Sequence, residues 1–215
     1  MTLGALLLLP MNSDEPFGIR TVVATDSWFS LNWPRLQSEI RADALIVAEC
    51  RKSAETCSPS ALQFVAIVDD AHLQDGLARI GHLNRAINLA IVAARRGGPL
   101  VWSSPLAVLA EGRSDCNGFA IVKYAALDDV GAPEHRLIIV HVDSTNEDHM
   151  VVGVRSGARW LILDNRTMAL VDSGASAYAP VLEFEQDGVR QFVTPNPSVA
   201  SLPCSDAIAV AKEEH

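Results

Sequence analysis

The chain has 215 residues, of which 49% are hydrophobic, a content that supports a real core and excludes intrinsic disorder. Its 26 Asp and Glu residues outnumber its 17 Lys and Arg residues, so the formal charge of −9 provides no basic surface for nucleic acid or an anionic membrane. Within the body of the chain, no apolar run approaches the roughly 18 to 20 residues that span a bilayer. We therefore expect a soluble protein.

The N-terminal stretch LGALLLLP, residues 3–10, has the apolar character of a signal peptide but no basic region before it. We interpret residues 1–15 as a signal-peptide remnant or a disordered segment. A short buried N-terminal strand is the alternative. Residues 16–215 are then expected to form one domain.

The first helix is predicted from Pro34 to Cys50, where apolar residues recur at steps of three and four and Pro34 occupies the first helical position. Cys50 and Cys57 lie seven apart between two helical patterns, where a disulfide could join the two helices. Such a bridge fits an oxidising compartment and leaves Cys116 and Cys204 over. Two unlinked thiols are the alternative, because sequence spacing does not fix the distance between the Cα atoms.

Residues 59–96 again have helical periodicity, and they predict either two helices or one kinked helix. Gly76 and Gly81 are the expected breaks, and Gly97-Gly98 is the expected stop. A short helical turn is predicted after Pro105, followed by polar, turn-forming residues.

Residues 116–127 are apolar almost all round, which predicts a helix in the middle of the domain. Ser114 or Asp115 is its natural N-cap. The pattern then changes to short β-branched runs separated by turn residues, which predict strands at 137–142, 149–154 and 159–164.

The tail from about residue 172 mixes Gly, Ser and Pro with isolated apolar pairs such as Val181-Leu182 and Phe192-Val193. It predicts one or two weak strands and a loose C-terminus. Helices come first and an antiparallel sheet follows, so the predicted fold class is α+β.

Cys116 is the first chemical candidate, because it lies in the first turn of the predicted buried helix. Unpaired N–H groups and the positive end of the helix dipole favour an anion there, and they lower the pKa of a thiol. A buried structural cysteine is the alternative.

His149 and Asp164 are predicted to lie opposite each other on a hairpin whose loop is Ser156-Gly157. If Arg155 pairs with Ala158, the residue numbers of every opposed pair sum to 313. His149 and Asp164 meet this condition and are therefore one of the opposed pairs. Their Cβ atoms are then about 5 Å apart. An imidazole held by a carboxylate is what a nucleophilic thiol needs beside it. A surface hairpin is the alternative, and a one-residue change of register would separate the pair.

The remaining polar residues carry weaker signals. No zinc-binding spacing and no Gly-rich phosphate loop occurs. His141, on a predicted strand, could neighbour the site. Surface or core positions are expected for the other histidines, His72, His82 and His135. Solvated charge is expected for the acidic set Asp128, Asp129, Glu147 and Asp148.

Taken together, the stretches WSSPLAVLAEGRSDCNGFAIVKYAAL, LIIVHV, HMVVGV and WLILDN resemble the bacterial transglutaminase-like cysteine proteinases, the LapG-like periplasmic proteases. The resemblance covers most of residues 16–170. It implies a papain-like α+β fold, export to the periplasm, and a catalytic triad of Cys116, His149 and Asp164.

One departure concerns the nucleophile motif, which is commonly Gly-Asp-Cys-Glu-Asp in this family and is Ser114-Asp115-Cys116-Asn117-Gly118 here. In calcium-dependent relatives the acids that flank the cysteine are ligands. Only Asp115 is retained, and Ca²⁺ prefers several oxygens including carboxylates. Calcium is the cofactor that the resemblance implies, and this departure argues against it.

The sequence therefore predicts an exported thiol hydrolase, a cysteine endopeptidase that cleaves a protein substrate such as a surface adhesin. The backbone N–H of Cys116 is the expected oxyanion donor, and the indole of Trp102 is a candidate for the second donor. A protein acyltransferase with the same triad is one alternative. A non-catalytic peptide-binding module of the same fold is the other, and Asn117 and Gly118 favour it.

Overall fold

A computed structural model describes residues 14–24, 27–94 and 101–194 of the chain. The helices in these ranges are α1 (Trp28–Lys52), α2 (Pro59–His72), α3 (Gly76–Ala90), α4 (Pro105–Glu111) and α5 (Cys116–Asp129). The strands are β1 (Thr21–Val23), β2 (Val92–Ala93), β3 (Arg113–Ser114), β4 (His135–Val142), β5 (Glu147–Ser156), β6 (Arg159–Leu163), β7 (Val171–Asp172), β8 (Ala179–Glu185) and β9 (Gly188–Phe192).

The sheet that supports the fold has seven strands in the order β1-β9-β8-β4-β5-β6-β7, and every neighbouring pair is antiparallel. A separate parallel pair, β2 with β3, lies just before α5. The predicted α+β class and the three predicted strands are confirmed. Across the described ranges, no helix combines the length and the apolar character needed to cross a membrane.

Helix α1 begins six residues earlier than the sequence predicted, so Pro34 lies inside the helix rather than at its first position. Ser27 caps the helix by accepting a hydrogen bond from the Ser30 N–H at 3.1 Å. The buried stripe already includes Phe29 and Trp33, which lie before the proline. Proline cannot donate to the carbonyl four residues back. Here the burial of these two aromatic rings outweighs that missing hydrogen bond.

Residues 59–90 form two separate helices, α2 and α3, in agreement with the first of the two predicted arrangements. The break lies just before Gly76, which opens α3 with a φ of +53° that favours glycine. Gly81 is not a break, because it lies within α3 with an ordinary backbone. The helix ends at Ala90, and the predicted stop at residues 97–98 lies outside the described residues.

The prediction of weak strands in the tail is wrong for β8. This strand pairs with β4 along most of its length, and five of its seven residues are buried. Its Phe184 is fully buried and packs against Trp33 and Trp102 at ring-centroid distances of 5.4 Å. The surrounding Gly, Ser and Pro residues gave no strand pattern, because β8 is stabilised by contacts with residues far away in the sequence.

Helix α5 lies in the centre of the domain, as predicted. Every residue from 116 to 127 is buried, including the polar Asn117 and Lys123. The helix packs against α3, α4 and strands β4 and β5, so it is covered on all sides. Its position, and therefore that of its first turn, is fixed by the whole core.

The predicted disulfide between Cys50 and Cys57 is present and joins the end of α1 to the segment before α2, with the Cα atoms 5.1 Å apart. Of the two cysteines left over, Cys116 is also disulfide-bonded. Cys204 lies outside the described residues. The cysteine use therefore agrees with an oxidising compartment.

Removing the Cys50–Cys57 bridge should destabilise the fold, because the closed loop of about eight residues restricts the unfolded chain. We expect the double variant Cys50→Ser/Cys57→Ser to lose about 2 kcal/mol of unfolding free energy in urea titrations. The double variant is preferable to added reductant, which also opens the disulfide of Cys116. An unchanged unfolding free energy would contradict this expectation.

Candidate active site

Cys116 begins α5, directly after the capping residue. Of the two predicted caps, Asp115 performs this role: its Oδ1 accepts hydrogen bonds from the N–H groups of Asn117 at 3.1 Å and Gly118 at 3.3 Å. The carboxylate satisfies two of the N–H groups that a helix start leaves without partners. The first turn of α5 is therefore a rigid support for Cys116.

The first turn of α5 meets the sheet at β5. The backbone N–H of Met150 donates to the Sγ of Cys116, with 3.4 Å between N and S, and both residues are buried. His149 is the chain neighbour of Met150. The fold thus brings the predicted nucleophile into contact with β5, the strand that carries the predicted base.

The predicted hairpin register is wrong by two residues. The structure pairs Ser156 with Arg159, so opposed residues of β5 and β6 sum to 315 and the loop is Gly157-Ala158. Gly157 has a φ of +63°, which explains why the turn is placed there. A shift of two preserves the face on which each side chain lies, because side chains alternate with a period of two. His149 and Asp164 are consequently diagonal neighbours rather than direct partners.

His149 and Asp164 form a buried hydrogen bond, with 2.7 Å between Nε2 and Oδ1. Both side chains are almost completely inaccessible. Nε2 faces a carboxylate and therefore carries the proton of a neutral imidazole. The other ring nitrogen, Nδ1, is buried without a hydrogen-bond partner among the described residues. Nδ1 is thus the ring atom available to accept a proton.

Asp164 is held by groups from three parts of the chain. Besides His149, the Tyr178 hydroxyl donates to its Oδ2, and the Arg166 N–H donates to its Oδ1 at 2.9 Å. Burial alone would raise the pKa of Asp164, but these hydrogen bonds and the nearby imidazole hold it well below its usual value. Asp164 is therefore ionised at every pH of biological interest.

Tyr178 is a site residue that the sequence analysis missed. It lies just before β8, in the tail that appeared to be loose, and its ring lies 6.0 Å from that of His149 between centroids. Burial and the adjacent Asp164 charge raise the pKa of Tyr178, so its hydroxyl remains a donor. Its sequence surroundings, SAYAP, carry no motif that could have identified it.

Lys123 is a second charged group near the site, and it is 1% exposed on the central helix. Burial lowers the pKa of Lys123 to about 7, while the charge of Asp164 acts in the opposite direction. The sequence of α5 gave no indication that Lys123 has a lowered pKa. An amine with this pKa makes the core sensitive to pH near neutrality.

Trp102, the predicted second oxyanion donor, lies in an aromatic cluster with Trp28, Phe29 and Phe184. Cys116, by contrast, contacts β5 through Met150. The indole Nε1 is buried and has no hydrogen-bond partner among the described residues. These contacts place Trp102 in the aromatic core, and its role as the second oxyanion donor stays a prediction.

Several of the remaining histidines and acidic residues form pairs. His141 pairs with Asp148, at 3.1 Å between Nδ1 and Oδ1, and Asp148 is 2% exposed. The prediction of solvated charge is therefore wrong for Asp148, which β4 pairing buries. His135 lies 3.1 Å from Asp128, and Asp129 pairs with Arg51 at 2.7 Å.

The two other histidines lie at helical positions: His72 ends α2, and His82 lies within α3. Glu147 begins β5 and is half-buried, with its Oε2 inaccessible and without a partner among the described residues.

The residues around Cys116 do not fit a calcium ion. Asp115 is engaged by two backbone N–H groups, and residues 117 and 118 supply no carboxylate. A Cβ added at Gly118 would lie 2.0 Å from the Oγ of Ser114, so an acidic side chain has no room there. Ca²⁺ requires several oxygen ligands, which this turn does not provide.

Within the described part of the chain, one group of three acidic residues could in principle hold a metal, and it lies elsewhere, at Glu15, Glu183 and Glu185. Nη1 of Arg136 lies between 2.6 and 2.9 Å from a carboxylate oxygen of each. The guanidinium therefore supplies the cation that these carboxylates need.

Replacing Gly118 by alanine should disturb the nucleophile turn, because the new methyl group overlaps Ser114. We expect Gly118→Ala to lose about 1 to 3 kcal/mol of unfolding free energy. The same Gly118→Ala substitution should cost less unfolding free energy when it is made in the Ser114→Gly variant, because that variant lacks the overlapping side-chain atoms of Ser114. Equal losses with and without Ser114 would show that the overlap is not the cause.

Lys123→Met should make the fold less dependent on pH. The folded-state pKa of about 7 lies below the ordinary value of 10.5, so protonation destabilises the native chain. This cost is fully present below pH 7 and disappears between pH 7 and 10.5. Urea titrations at pH 6 should show the variant more stable than the parent by about 1 to 3 kcal/mol, and the difference should shrink at pH 9. Lys52→Met, at an exposed lysine, is the control and should show no such trend.

Comparisons with known proteins identify the family and the fold. The family model for bacterial transglutaminase-like cysteine proteinases matches residues 43–194. Legionella pneumophila LapG has a similar fold, with a TM-score of 0.59 and 23% identity over 67% of this chain and 87% of LapG. Its calcium-bound form gives a TM-score of 0.58 and 23% identity over 73% of this chain and 92% of that one. No curated protein sequence matches. The chain belongs to the family of bacterial transglutaminase-like cysteine proteinases.

Proposed function

We propose that the protein is a thiol endopeptidase in which Cys116 is the nucleophile, His149 the base and Asp164 the residue that orients the base. The observation that carries this proposal is the buried 2.7 Å hydrogen bond between His149 and Asp164, next to the strand residue whose N–H contacts Cys116. Family membership supports a cysteine peptidase acting on a protein substrate.

In the proposed reaction, an external dithiol first opens the disulfide of Cys116 by thiol–disulfide exchange, so that the dithiol is oxidised to a disulfide and Cys116 is released as a thiol. Nδ1 of His149 takes the thiol proton, and the thiolate attacks the carbonyl carbon of a peptide bond. The resulting imidazolium protonates the leaving amine as the C–N bond breaks, which leaves an acyl group on the sulfur. Water, deprotonated by Nδ1, then attacks this thioester, and the C–S bond breaks to return the thiol.

Two features of the fold favour the charged species in this reaction. The first turn of α5 places the partial positive charge of the helix beside the sulfur. The ionised Asp164, with its pKa held low, stabilises the imidazolium that forms on His149. The backbone N–H of Cys116 is the proposed oxyanion donor, and loss of such a donor typically costs on the order of 3 kcal/mol of activation free energy.

A protein acyltransferase is the second candidate, because the same thioester can react with an amine instead of water. Product analysis with and without an added primary amine separates the two reactions. We further propose that the protein is exported and acts without calcium, and that its substrate is a protein such as a surface adhesin. The export proposal is supported by three disulfide-bonded cysteines, Cys50, Cys57 and Cys116.

The pH dependence of Cys116 alkylation tests the proposal. The protein is reduced, the reductant is removed, and labelling by iodoacetamide is followed by peptide mapping, with Cys204 as the internal comparison. We expect Cys116 to react well below pH 8, because an activated thiol has a pKa below the ordinary value of about 8.5.

His149→Ala should abolish this low-pH reactivity, and Cys204 should react alike in both proteins. A Cys116 that reacts like an ordinary thiol in both proteins would contradict the peptidase and favour a peptide-binding module of the same fold.

A further inference from the structure

The loop that follows β6 carries Asp164, and two asparagines of α3 hold its backbone. Asn88 Nδ2 donates to the carbonyl oxygen of Asp164 at 2.8 Å and to that of Thr167 at 3.0 Å. Asn84, one turn earlier in the same helix, donates to the same Thr167 carbonyl at 3.1 Å. Only Asn88 therefore contacts the backbone of the triad residue.

These two asparagines are costly to the core. Asn84 is completely buried, and the Oδ1 atoms of both side chains are inaccessible without partners among the described residues. Asparagine is also a weak helix former. A buried acceptor without a partner destabilises a fold, so the Nδ2 hydrogen bonds are the compensating feature. The acceptors of those bonds are carbonyls of the Asp164 loop.

The need for such a clamp follows from where Asp164 lies. It is the first residue beyond β6, so the sheet no longer fixes its backbone. Its carboxylate must nevertheless keep a 2.7 Å hydrogen bond to His149. Tyr178 and the Arg166 N–H restrain the carboxylate, whereas Asn88 restrains the backbone. Both restraints are required to fix a side chain with two rotatable bonds.

We propose that Asn88 is a positioning residue for the triad: by holding the Asp164 carbonyl, it fixes the carboxylate against His149. This inference rests on the proposed function. Asn84 contributes to the stability of the same loop without contacting Asp164. The chain thus contains its own matched control, a neighbouring asparagine that shares the helix and one acceptor but not the contact with the triad.

The experiment compares Asn88→Leu and Asn84→Leu in the full chain, by Cys116 alkylation between pH 5 and 9 after reduction. A displaced Asp164 no longer supports the imidazolium, and small misplacements at such sites reduce rates by one to two orders of magnitude. We therefore expect Asn88→Leu to slow labelling at pH 6 about tenfold and to shift the profile towards that of an ordinary thiol. Asn84→Leu should keep the parental profile.

The melting temperature of each variant separates positioning from general stability. Both leucine variants should be destabilised, since each leaves a carbonyl of the loop with fewer donors. If Asn88→Leu does not fold, Asn88→Ser, which is too short to reach the Asp164 carbonyl, is used instead. Equal labelling profiles for the Asn88 and Asn84 variants would overturn the inference.

The failure of the inference and that of the proposed function give different results. If His149→Ala removes low-pH labelling and the Asn88 variant does not, the peptidase proposal stands and Asn88 is only structural. If His149→Ala has no effect, the peptidase proposal itself is wrong and the positioning role is lost with it.

Discussion

The burial of residues 116–127, all but the last two residues of α5, is the constraint on which the rest of the structure depends. A helix with no exposed face cannot slide or rotate without opening the core on some side, because protein interiors are close-packed. Its first turn is therefore placed by contacts along its whole length. The nucleophile position at Cys116 follows from this placement, since the turn ends against the N–H of Met150.

The proposed triad draws its residues from parts of the chain that are far apart in sequence. Cys116 comes from the central helix, His149 from β5, and Asp164 from the residue after β6. The donors around Asp164 add Asn88 of α3 and Tyr178 before β8. Residues of α3, β5 and the segment before β8 thus converge on Asp164, and the hydrogen bonds of its carboxylate with His149, Tyr178 and the Arg166 N–H keep it ionised.

Local patterns predicted much of the fold and the pairing of His149 with Asp164, whereas the catalytic roles of Cys116, His149 and Asp164 stay a prediction. The apolar composition of α5, its Asp115 cap and the β-branched runs of the sheet have direct local causes, so they were visible in the sequence. The beginning of α1 was not, because the burial of Phe29 against distant Phe184 decides it. The strength of β8 was missed for the same reason.

The contacts of Asp164 with Tyr178 and Asn88 could not be predicted from the sequence. Tyr178 and Asn88 act through single contacts between residues 14 and 76 positions apart, and no periodicity records such a contact. The hairpin register was two residues off, yet the pair was correct, because the error was even. An odd error would have placed the imidazole and the carboxylate on opposite faces of the sheet.

The alternation of side chains between the two faces of a strand also determines which insertions and deletions the β5–β6 hairpin can accept. The loop at Gly157-Ala158 is exposed, so homologous chains can lengthen it freely as long as the strand pairing beyond it is kept. A single residue gained or lost within β5 or β6, between this loop and the triad, moves one partner to the wrong face. Alignments of related chains should therefore place length changes at the loop and keep constant the number of residues from each triad member to it.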